Sequence, residues 1–88
     1  MKNGGLSPNQ LTAAQYRAMA FSPKEIAERM MCCANTVRGH LVVARRRAGV
    51  RSDAELCAWL CRHGLHAFQA WPEYLLVREG LIEQREAA

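Results

Sequence analysis

The sequence predicts an all-α domain, and three observations carry that prediction. The device S-x-x-E/Q occurs three times, at Ser7–Gln10, Ser22–Glu25 and Ser52–Glu55. Each places a serine oxygen where it accepts from the N3 amide, and a Glu or Gln where it reaches back to the serine amide. Apolar residues recur at helical spacing after these starts, and Gly49, Gly64 and Gly80 stand where the patterns stop. Half of the 88 residues are hydrophobic and only 7% are aromatic, a composition suited to a small helical domain.

The first helix is expected from Pro8 to Ala18, with Leu11, Ala14 and Ala18 on one face. The second runs from Pro23 to about Met31, with Ile26, Ala27 and Met30 inward. Proline opens both, at the position where its missing donor costs nothing. A turn at Met31-Cys32-Cys33 leads to a third helix, Ala34 to Ala48, which Gly49 ends. Its cap is weaker, because Cys33 stands where Ser or Thr is favoured. The fourth runs from Asp53 to His63, with Leu56, Cys57, Leu60 and Cys61 as its buried stripe. Residues 65–70 read as a connector or a short turn. Trp71-Pro72-Glu73 starts a last helix that ends at Glu79 and Gly80, and a polar tail follows from Glu83.

Charge is unevenly spread. Residues 1–71 hold ten Lys/Arg against four Asp/Glu, and residues 72–88 hold two against four. From Arg29 to Arg51 every charge is positive, a footprint of polyanion binding. The third helix combines a face that buries (Val37, Leu41, Ala44, Ala48) with Arg38, Arg45, Arg46 and Arg47. A helix of this kind fits the major groove of DNA, which admits a helix and is walled by phosphates. No apolar run is long enough to span a bilayer, so no membrane role is expected. MKNGGLSPNQ lacks the apolar stretch of a signal peptide, which points to a cytoplasmic chain with reduced thiols.

Five ordered blocks sharpen this reading. Leu6-Ser7-Pro8-Asn9-Gln10, Ser22-Pro23-Lys24-Glu25-Ile26-Ala27 with Met30, Thr36-Val37-Arg38-Gly39-His40, Arg47-Ala48-Gly49-Val50 and Asp53-Ala54-Glu55-Leu56 follow one another without a gap. Together they resemble the DNA-binding domain of the LuxR/GerE family of bacterial transcription regulators, across about two-thirds of the chain. The resemblance implies a four-helix helix-turn-helix domain over residues 6–66, here with an extra C-terminal helix and tail over 67–88. It implies that the third helix enters the major groove and that the fourth supplies a two-fold dimer contact. With five residues ahead of the match, the chain resembles the freestanding members, which carry no sensory domain. Cys33-Ala34 replaces the usual Ser-Pro, Ala20 a common glycine, and Asp53 a frequent arginine. Gly39 and Val42 bring no polar group to a base-facing stretch, so direct readout there is expected to be limited.

The expected base contacts are Asn35, Arg38 and Val42. Arg38 lies in the first turn of the third helix, where an arginine can pair in bidentate fashion with guanine. Asn35 is equally suited to an adenine edge, a phosphate or helix capping. Backbone contacts are expected from Lys24, Thr36, His40, Arg45, Arg46, Arg47 and Arg51. Consecutive helical positions point about 100° apart, so Arg45, Arg46 and Arg47 do not all face one strand; Arg46 and Arg47 match the family's basic positions. His40 is suited to a phosphate or to packing. A homodimer is expected through Leu56, Trp59, Leu60, His63, Trp71, Tyr74 and Leu75, with the last helix either covering Trp59 or forming the interface.

Cys57 and Cys61 are one turn apart, with His63 and His66 following, but no C-x-x-C pair exists. Cysteine is a common small core residue, so the thiols are expected to be buried and structural, with no metal and no cofactor. No nucleophile–base set or phosphate loop marks an enzyme. The expected function is sequence-selective binding of double-stranded DNA as a small homodimeric regulator of transcription. The alternative is a protein-binding module that uses the same fold to engage another regulator.

Overall fold

The computed structural model describes residues 2–83, and over them the chain is all-helical. After a short turn at Lys2–Gly5 come α1 (Pro8–Ala18), α2 (Pro23–Met30), α3 (Ala34–Ala48) and α4 (Asp53–Arg62). α5 (Ala67–Ala70) is a single turn inside the expected connector, and α6 (Glu73–Arg78) follows. The polar tail expected beyond Glu83 lies outside the described residues. No helix among the described residues is long and apolar enough to cross a membrane.

The helix starts form as local chemistry dictates, with one variation. Ser7 Oγ accepts from the Gln10 amide at 3.2 Å, and Gln10 Oε1 accepts from the Ser7 amide at 3.1 Å. Ser22 and Glu25 repeat the arrangement at the same distances. At the third start Ser52 Oγ accepts from Glu55, but Glu55 reaches one residue further back, to the Arg51 amide at 3.2 Å. Each serine cap contributes about 1 kcal/mol. Cys33 takes the N-cap position of α3 and makes no side-chain capping bond. α2 ends one residue sooner than expected, because Met31 turns left-handed (φ 56) and sends the chain into α3.

The core lies where α1, α2 and α4 meet α3. Ile26, Val37, Leu56 and Leu60 are its largest fully buried side chains. Leu11, Ala18, Met30 and Ala48, expected inward, are partly buried and packed against it.

Two expectations about the fourth helix are corrected. Leu56, Trp59 and Leu60, assigned to a subunit contact, are 1%, 7% and 0% exposed within their own chain, so they have no surface to offer a partner. Trp59 is covered from the N-terminal side: Gly4, at φ 61, lies so close that a Cβ there would run into the indole ring. The thiols are not buried either. Cys32, Cys33 and Cys61 are exposed and Cys57 is half-buried.

The C-terminal extension folds back on α1 rather than over Trp59. Trp71 packs edge-on against Tyr16, with ring centroids 5.3 Å apart. Its Nε1 donates to Gln15 Oε1 at 3.1 Å, and Gln15 Nε2 donates to the Leu65 carbonyl at 2.9 Å. Gln15 is thereby a buried polar side chain with both ends of its amide satisfied. Leu76 is buried, and Glu79 pairs with Arg29 of α2 at 2.8 Å. The Arg29 guanidinium also lies 4.3 Å from the centre of the Phe21 ring.

Candidate nucleic-acid interface

α2 and α3 pack together across the Met31–Cys33 turn, with the buried stripe of α3 (Val37, Leu41, Ala44) facing the core. At 100° per residue, Asn35, Gly39, Val42 and Arg46 fall within about 40° of one line on the opposite side, with Arg38 about 60° to one flank. Asn35, Arg38, Gly39, Val42 and Arg46 are all exposed. The packing that fixes α3 therefore turns this stripe outward, and no acidic residue lies on the helix.

Within the stripe, Arg38 Nη1 donates to Asn35 Oδ1 at 3.0 Å. Two of the three residues expected to contact bases are thus partners, and Asn35 restrains the arginine one turn away. Thr36 is exposed, and its hydroxyl lies 3.2 Å from Cys33 Sγ. Lys24 and Arg51 are exposed at helix ends, while His40 is partly buried on the other flank.

The arginine row divides by partner, a division invisible in the sequence. Arg45 Nη1 pairs with Asp53 Oδ1 at 2.7 Å, and Asp53 Oδ2 also holds Arg17 at 3.0 Å. Arg47 Nη1 donates to Gln10 Oε1 at 3.1 Å and to the Gly5 carbonyl at 3.4 Å. Arg46 is exposed and makes no ion pair among the described residues. The Asp53 pairs are partly solvated and add little stability, but they hold Arg45 toward the protein. Arg46→Ala is therefore expected to weaken duplex binding at every sequence and lower the salt slope by about 1, with smaller changes for Arg45→Ala and Arg47→Ala. Affinity measured over a salt series checks the order.

Two thiols differ in their electrostatics. Hydrogen bonding to the Thr36 hydroxyl holds the Cys33 thiol below its ordinary pKa. Burial, then the neighbouring Cys61, push the Cys57 thiol up. Only the thiolate alkylates. As pH rises, Cys33 is expected to react with iodoacetamide first and Cys57 at distinctly higher pH. Site-resolved mass analysis across pH checks this, and the reverse order would contradict it.

The chain matches no protein-family model, no curated protein and no solved structure.

Proposed function

We propose that the chain is a helix-turn-helix DNA-binding domain of the LuxR/GerE kind and regulates transcription by placing α3 in the major groove. The observation that carries this reading is the outward stripe of Asn35, Arg38, Val42 and Arg46, opposite a fully apolar buried stripe. Arg38 and Asn35 read base edges, and Val42 supplies apolar contact beside them. Arg46, Arg51, Lys24 and Thr36 hold phosphates, and Arg45 and Arg47 join once their internal partners release them.

The regulator works as a homodimer, whose two recognition helices meet half-sites one helical turn apart. With Leu56, Trp59 and Leu60 in the core, the contact falls to His63, Tyr74 and the accessible parts of Trp71 and Leu75. A second reading, a module that binds another protein, is favoured by Phe68 and Tyr74, large rings that are 50% and 69% exposed.

Selection of binding sites from random duplex DNA tests the proposal. An enriched motif with two-fold repetition supports it. Absence of enrichment, with only weak, salt-sensitive binding to every duplex, overturns it, and binding of the purified chain to a protein in lysate then supports the protein-binding module.

A further inference from the structure

The exposed end of α4 carries a second constellation. Cys57 and Cys61 are one helical turn apart and so share a face. The chain reverses at Gly64, which adopts φ 67, and returns His66 beside that face as the N-cap of α5. One ligand atom from each of Cys57, Cys61 and His66 lies within 4.8 Å of the other two. We infer that these three side chains form a zinc site, with two thiolates and one imidazole as ligands and the fourth position taken by water.

Several features fit that ion. Two thiolates and an imidazole suit zinc and are poor ligands for magnesium or calcium. Sulfur ligands of a tetrahedral zinc, each at about 2.3 Å from the metal, sit about 3.8 Å apart. Closing the site thus takes side-chain movements of about 1 Å, and Cys61 is exposed and free to make them. Packing does not account for a cysteine at position 61, since its side chain contributes nothing to the core. Zinc displaces the thiol protons, so affinity rises with pH.

Binding also has a local signature. His66 Nδ1 accepts a hydrogen bond from the Phe68 amide at 3.3 Å. A neutral imidazole that ligates through Nδ1 gives up that bond directly. One that ligates through Nε2 carries its proton on Nδ1 and no longer accepts. In both cases the Phe68 amide loses its partner, and the metal ties α5 to α4 in its place.

Titration of the reduced full chain with Co²⁺, followed by Zn²⁺, tests the site. The expected result is a 1:1 complex with the strong visible absorption of tetrahedral cobalt–thiolate, its loss when zinc is added, and a shifted Phe68 amide resonance. Removal of outer-shell partners costs metal sites about 10–100-fold, so Cys61→Ser, which loses a direct ligand at an exposed position, is expected to lose at least about 100-fold in affinity. His66→Asn keeps an acceptor for the Phe68 amide and is expected to fold while binding metal far more weakly. The double variant Cys32→Ser, Cys33→Ser is expected to bind as the parent does. Absence of the thiolate absorption at stoichiometric cobalt overturns the inference. So does absorption that survives Cys61→Ser, and so does full affinity in His66→Asn.

Discussion

Trp59→Ala is expected to destabilise the domain by about 3–5 kcal/mol, the range for truncating a large buried aromatic. Small domains hold only about 5–15 kcal/mol in total, so this one change removes a large share of the stability. The cost arises inside one subunit. The indole is 7% exposed, belongs to the same core as Leu56 and Leu60, and is closed over by Gly4. Denaturant unfolding of parent and variant at several protein concentrations makes the measurement. A core role gives the same loss at every concentration. A loss that shrinks as protein concentration rises would return Trp59 to a subunit contact.

Arg38→Ala is expected to cost about 1–3 kcal/mol at the selected DNA site, a factor of about 5–150, while leaving most non-specific binding intact. The reason is position. Arg38 stands near the N-terminal end of α3, one turn after Asn35, is exposed, and is held by Asn35 at 3.0 Å. A restrained guanidinium loses less freedom when it engages a guanine edge than a free one does. Paired measurements on selected and scrambled duplexes check this. Equal losses on both would reassign Arg38 to the phosphate backbone.

What was legible in the sequence follows the range of the forces involved. The start of α1 and the end of α3 could be read because their signals are local: Ser7 with Gln10, Pro8, and Gly49 at the end of α3. The buried stripe of α3 was readable for the same reason. The fate of each arginine was not. Helical spacing separates the directions of Arg45, Arg46 and Arg47 but not their partners, which are Asp53, eight residues from Arg45, and Gln10, 37 residues from Arg47. Trp59 was misplaced because the group that covers it, the Gly4 turn, belongs to the opposite end of the chain. The pairing of Cys57 with Cys61 was visible as helical spacing. The approach of His66 was not, since it depends on how sharply the chain reverses at Gly64.

The amide of Gln15 has a consequence for the order in which the molecule opens. It is a single side chain that fastens Leu65 and Trp71, 50 and 56 residues away, to α1. Contacts across such separations cost loop-closure entropy before they return anything, so they form after the α1–α3 body has assembled. On the native side of the barrier the order runs backwards. Residues 65–81 are therefore expected to detach as one cooperative unit at less free energy than global unfolding requires. In hydrogen exchange the amides of Leu75, Leu76 and Glu79 are expected to lose protection together, well before those of Leu41 and Ala44. Gln15→Leu, which removes the fastening without disturbing α1, is expected to accelerate exchange in that unit alone.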